Sequence, residues 1–249
     1  MDPLILALIF GGGFVAGIIN AVAGGGSIIT LPILVFAGLP VSTANGTNRV
    51  AIVFQNIGAV AAYRRGGVTL PRETWALLVP SILGAVLGVR LAVHLDERTL
   101  SQAIAVVLVL MLIPILRKPA TRKREPGTLR LKLWVWPAYF LVGVYGGFIQ
   151  AGVGFLYLAL LVGVQGMSLV RANLVKVFLV LVYTVIALVL FAAEGQVALV
   201  EGVALAAGNA WGGWLGARTA VEKGERWIRA VLVAAVLLCA AKLLGWLPG

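Results

Sequence analysis

Two stretches of the chain set amide and cationic side chains among apolar residues. The first is Asn45-Gly46-Thr47-Asn48-Arg49, followed by Gln55 and Asn56; the second holds Asn173 and Lys176, followed by Tyr183 and Thr184. On a helix Asn45, Asn48 and Arg49 share a face, as do Asn173 and Lys176. A charge at membrane depth is costly and marks a pathway or a paired site. Neither stretch contains Asp or Glu, so the simplest neutraliser of Arg49 and Lys176 is an anion. The alternative is that both side chains snorkel to the membrane interface. Glu201 lies in a later segment from which it could reach one of them.

Each stretch is preceded by a glycine-rich break. Gly24-Gly25-Gly26-Ser27 would weaken a continuous helix by about 1 kcal/mol per glycine, and it frees backbone groups that lipid cannot satisfy. Such backbone persists where it is buried in protein or lines a polar cavity. A short helix starting at Ser27 would present free N–H groups and the positive end of its dipole, a ready anion site. Gly152-Val153-Gly154 would supply a second one. Paired breaks of this kind point to a transporter's binding site; a kink or a close helix crossing is the plainer reading. Asn20 before the first break and Gln150 before the second extend the polar lining. The candidate ligand-binding set is therefore Asn20, Gly24, Gly25, Gly26, Ser27, Thr47, Asn48 and Arg49 from the first half, with Gln150, Gly152, Gly154, Asn173 and Lys176 from the second.

The elements that must position these residues are membrane helices. The chain is 61% hydrophobic and only 12% charged, with a mean hydropathy of +1.04, against about 45–50% apolar in a soluble domain. Runs at 4–23, 75–93 and 227–244 approach the roughly 20 residues that cross a bilayer as a helix. They lack the alternation of a barrel strand. The start Met1-Asp2 has no basic n-region, so the first helix is expected to be retained. One cysteine, Cys239, and one histidine, His94, argue against a disulfide, a multi-Cys or His-based metal site and a catalytic triad. No cofactor is expected.

The net charge of +11 is largely topological. Arg117, Lys118, Arg122, Lys123, Arg124, Arg130 and Lys132 crowd one segment, opposed only by Glu125. Pro119, Pro126 and Gly127 mark it as a connector, which the positive-inside rule puts in the cytoplasm. A nucleic-acid patch is the sharper reading of such a run, but a connector between two membrane halves accounts for it without that partner.

The halves on either side of it resemble each other in one register. Ala23-Gly24-Gly25-Gly26 matches Ala151-Gly152-Val153-Gly154, Ala44-Asn45 matches Ala172-Asn173, and Gly84-Ala-Val-Leu-Gly88-Val-Arg90 matches Gly212-Gly-Trp-Leu-Gly216-Ala-Arg218, all 128 residues apart. The expected fold is thus all-α integral membrane, a duplication with a first repeat at 1–116, a basic connector at 117–132 and a second repeat at 133–249. Each repeat has about four transmembrane helices, plus a short broken or re-entrant segment (27–37; 154–165) after its break. The first helices are expected at 4–23 and 133–150, the second at 44–63 and 169–192. The third are expected at 72–93 and 197–219, the fourth at 98–116 and 226–246. The Gly84/Gly88 and Gly212/Gly216 pairs read as packing surfaces. The loop at Arg64-Arg65 is basic, whereas its counterpart holds Glu194 and no basic residue. Three crossings between Lys132 and Glu194 would put Glu194 outside and make the repeats inverted. Trp75, Trp134, Trp136, Trp227 and Trp246 fall near helix ends, where an interfacial belt belongs. Trp211 and Trp214 are expected to pack inside.

At these residues the chain resembles a known family. Asn20-x-x-Ala23-Gly24-Gly25-Gly26-Ser27, Pro32 and Ala44-Asn45-Gly46-Thr47-Asn48-Arg49 resemble the first-half signature of the sulfite exporter TauE/SafE family of membrane permeases. Tyr145-Gly146-Gly147-Phe148-Ile149-Gln150-Ala151-Gly152-Val153-Gly154-Phe155 and Ala172-Asn173-x-x-Lys176 resemble its second-half signature. The resemblance implies a secondary permease of small sulfur-containing or carboxylate anions at the cell (inner or plasma) membrane. Val153 and Phe155 depart from a full glycine triplet, so the two breaks need not act equally. The partners expected are a small anion and the lipid bilayer, with proton or sodium as candidate coupling ions and a homodimer left open. An anion channel is the alternative within transport. A membrane-embedded enzyme would need an acid, base or metal centre that the polar stretches do not offer.

Overall fold

The computed structural model describes residues 3–22, 24–110 and 133–243. The connector 117–132, Ala23, Trp246 and the last turns of the helices expected at 98–116 and 226–246 lie outside the described residues, as does the side chain of Cys239. The described residues form α1 (Pro3–Val22), α2 (Ser27–Phe36), α3 (Val41–Arg65), α4 (Thr74–Val93), α5 (Glu97–Leu110), α6 (Val135–Phe148), α7 (Val153–Leu158), α8 (Leu169–Ala193) and α9 (Leu199–Leu243). A π-helical stretch, Ala159–Val164, extends α7. Gly224 divides α9 into two legs through a non-helical φ of 66° and ψ of −157°. Of these, α1, α4 and α8 are long and apolar enough to cross a membrane. At 25 residues α3 is as long as α8, but it carries Arg49, Arg64 and Arg65.

Sequence sets the helix limits locally. Pro40 stands before α3, where a missing N–H costs nothing, and the Glu97 carboxylate accepts from the exposed Val41 N–H at 2.9 Å and the Ser42 N–H. Ser168 caps α8 by accepting from the Arg171 N–H. Both helices then run uninterrupted for about 37 Å, and they begin 128 residues apart.

The short segments do not continue onward as crossings. Gly26 packs on Ala16, and the Ile33 side chain reaches Gly12, so α2 folds back along α1. The Tyr157 ring packs at a tilt, 5.7 Å from that of Tyr139, and Gln165 Nε2 donates to the Tyr139 hydroxyl, so α7 folds back along α6. Each pair is a helical hairpin. Between residue 133 and Glu194 the chain thus forms one hairpin, α6–α7, and one long helix, α8.

Glycine contacts fix the helix directions. Gly208, Gly212 and Gly216 abut the backbone of Phe10, Phe14 and Ile18, so α1 runs parallel to the first leg of α9. Gly46 meets Gln196, Gly58 meets Ala210 and Gly66 meets Val221, so α3 joins that set. Gly84 and Gly88 meet Phe140 and Val144, making α4 parallel to α6. A Cβ on Gly84 would lie 2.1 Å from the Phe140 carbonyl, and one on Gly212 would lie 2.0 Å from that of Phe14. The paired glycines serve close packing, as their spacing suggests. Gly46 at the start of α3 touches Phe191 at the end of α8, so those two helices oppose each other. Hairpin α1–α2 thus enters from the end of the bundle that bears Glu194, and hairpin α6–α7 from the end that bears Arg64.

Trp211 departs from expectation. It is 61% exposed, edge-on to Phe14. Gly208 and Gly212 occupy the strip of α9 that touches α1, which turns the intervening Trp211 outward, where an indole suits lipid. Trp214 is half-buried under the Arg218 guanidinium.

Candidate functional site

The two hairpin tips meet inside the bundle. A Cβ built on Gly24 would lie 2.4 Å from the Gly154 Cα, and one on Gly154 would lie 2.3 Å from the Gly24 Cα. Gly24 has a φ of 90° and Gly152 one of 73°, conformations that glycine adopts without cost. Gln150, at the second tip, holds a φ of 65° without being glycine. Such strain persists when surroundings over-determine it. Here the Gln150 amide donates to Thr184 Oγ1 at 2.9 Å and accepts from Arg49 at 2.8 Å.

Beside the tip contact lies a cavity of about 10 Å³, room for about one water. Asn20, Gly24, Ser27, Gln150, Gly154 and Lys176 line it, together with Asn56, Val153 and Val180. The other expected residues surround this point without lining it. Gly25 packs under the Phe155 ring, Gly26 under Ala16 and Asn20, and Gly152 precedes α7. Asn48 bridges the first tip, donating to Ser27 Oγ at 3.1 Å and accepting from Thr30 Oγ1 at 2.6 Å. Thr47 accepts from the Ala198 N–H at 2.9 Å, just ahead of α9. No side chain caps α2 or α7, so their first turns are left to the tips themselves.

The two cations are buried at 0% and 2% exposure, so neither snorkels. Each holds a helix end in the opposite half of the chain. Arg49 Nη1 donates to the Gly146 carbonyl at 3.0 Å and Nη2 to that of Gly147 at 2.5 Å, in the last turn of α6. Its guanidinium also lies 4.5 Å from the Phe191 ring centroid. Lys176 Nζ donates to the Asn20 carbonyl at 3.0 Å and the Ala21 carbonyl at 3.1 Å, in the last turn of α1. Its third donor goes to Asn173 Oδ1 at 2.7 Å. The neutralisers in the structure are thus carbonyl ends of broken helices. Each helix end carries roughly half a negative charge, which leaves both cations partly uncompensated. Among the described residues no Asp or Glu is buried, and no group of three or more His, Cys, Asp or Glu could hold a metal. Glu201 sits half-buried in the first turn of α9.

Sequence reasoning noted Asn56 on its helix without assigning it to the site. The signal was present: Gln55 and Asn56 are adjacent amides within an otherwise apolar stretch.

The family model described as sulfite exporter TauE/SafE matches residues 9–243, nearly the whole chain. The chain belongs to the sulfite exporter TauE/SafE family. The chain is similar to the "Probable membrane transporter protein" of Haemophilus influenzae, 29% identical over 97% of this chain and 96% of that one. The "Probable membrane transporter protein ORF9" of Sinorhizobium sp is 29% identical over 96% and 92%. The "Probable membrane transporter protein YfcA" of Escherichia coli is 26% identical over 98% and 91%. No solved structure matches. With its apolar helices, this TauE/SafE member is a multi-pass membrane protein of a transporter family.

Proposed function

We propose that this protein is a secondary transporter of a small anion, namely sulfite, an organosulfonate or a related oxyanion or carboxylate, working by alternating access. The observation that carries the reading is two buried cations without a carboxylate partner, set where two hairpin tips meet. The opposed directions of α1 and α6, and of α3 and α8, support a reading of the halves as inverted repeats, the usual frame for alternating access. Asn20, Ser27, Gln150 and Lys176, with the backbone at Gly24 and Gly154, form the proposed site. Thr47, Asn48, Arg49, Asn173, Gly25, Gly26 and Gly152 shape the tips around it. An oxyanion is larger than the present cavity, so the tips must part to admit it, and their contact stands against a permanently open pore.

The test is uptake of sulfite and small sulfonates by proteoliposomes. Lys176→Ala should abolish flux and Arg49→Ala should cut it severely. Full uptake by both variants would remove the site from where it is proposed. Running the assay under proton or sodium gradients reads the coupling ion.

A further inference from the structure

Asn56 lines the cavity from α3 and is 2% exposed, and its Nδ2 has no hydrogen-bond partner among the described residues. A relay of amides sets its polarity. Asn20 Nδ2 donates to Gln55 Oε1 at 2.5 Å, and Gln55 Nε2 donates to Asn56 Oδ1 at 3.4 Å. The relay uses the acceptor of Asn56 and leaves its donor over. A buried donor without a partner is costly and marks a place where something else is met. Lys176 lines the same cavity from α8, with three oxygen partners, none of them a carboxylate. Arg49 is placed differently. It does not line the cavity, and Gln150 stands between, taking its Nη1.

Building on the transporter reading above, we propose that the anion seats between α3 and α8, with Asn56 Nδ2 donating directly to one of its oxygens. Lys176, whose three donors are held by Asn20, Ala21 and Asn173, faces it across the cavity as a positive charge. Arg49 is a positioning residue that holds the α6–α7 tip from behind. An oxyanion, sulfonate or carboxylate can offer one oxygen to the donor on α3 while another faces the ammonium on α8.

The experiment is concentration-dependent sulfite uptake in proteoliposomes of the full chain. Losing one hydrogen bond to a charged ligand weakens binding roughly tenfold to a hundredfold. Asn56→Ala should raise KM by that much with kcat retained. Asn56→Asp, which sets a carboxylate in the anion's place, should abolish uptake. Asn56→Ser keeps a small donor and should fall between, which covers the case in which Asn56→Ala folds poorly. Arg49→Lys should lower kcat more than it raises KM. Wild-type sulfite uptake with an unchanged KM in folded Asn56→Ala and Asn56→Ser overturns this inference alone. A wild type that moves neither sulfite nor sulfonates overturns the transporter reading and this inference with it.

Discussion

Gly24 and Gly154 touch backbone to backbone, so closely that a methyl group on either would lie within 2.4 Å of the other's Cα. One comes from each half of the chain, and each stands at the tip of a helical hairpin. The contact closes the centre of the protein.

Gly154→Ala should therefore push the tips apart. Overpacking of this kind costs about 1–3 kcal/mol, read as a lowered melting temperature in detergent, and transport should fall with it. Gly163→Ala is the control, because a Cβ there meets nothing within 4 Å. Equal melting and flux for the two variants would mean that the tips do not pack as described.

Arg49→Met should destabilise the protein by removing the donors to Gly146, Gly147 and Gln150. Each buried acceptor left unmet costs about 1–3 kcal/mol. Arg49→Lys should recover part of this, since an ammonium lacks the planar fork that serves two carbonyls at once. Arg49→Lys melting with the wild type would show that charge alone suffices.

Thr47→Val should cost about 0.5–2 kcal/mol, the worth of a helix-terminal side-chain acceptor, because Thr47 Oγ1 receives the Ala198 N–H. The check is thermal melting beside uptake kinetics. A raised KM at unchanged melting temperature would return Thr47 to direct contact with substrate.

Much of this was legible in the residues, and the reasons differ by element. The helices of Val41–Arg65 and Leu169–Ala193 follow the 128-residue register, with a left-handed glycine recurring before each, Gly38 and Gly166, and after each, Gly67 and Gly195. The breaks at Gly24 and Gly152 were legible because clustered glycines recur in one register in both halves. Which way the chain turns after them was not, since a break frees the backbone in any direction. Packing of Gly26 on Ala16 decides it, and that contact has no signature along the chain. The partners of Arg49 and Lys176 were hidden for a related reason. Backbone carbonyls are acceptors that every residue carries, so a search for carboxylates passes over them. Trp211 was misplaced because a helical period does not say which neighbour its face meets.

Orientation gives a separate test. The end of the bundle with Arg64 and Arg65 also gathers Arg72, Arg171, Arg218 and Lys223 against Glu73 and Glu222, whereas Asp96, Glu97, Glu194 and Glu201 collect at the other with Arg90 and Arg98. By the positive-inside rule we propose that the Arg64 end faces the cytoplasm. In a Cys239→Ser background, Arg65→Cys should react with an impermeant maleimide only from the cytoplasmic side, and Glu194→Cys only from outside. Labelling of both from one side would contradict the helix directions.

The most direct test of the central claim is counterflow. Proteoliposomes loaded with unlabelled sulfite and diluted into a trace of labelled sulfite should accumulate label transiently above its equilibrium level, and Lys176→Ala vesicles should not. Trans-stimulated exchange of this kind requires a carrier whose site faces one side at a time. Label that enters without being accelerated by internal sulfite would identify an open pore, and no entry at all would show that sulfite is not carried.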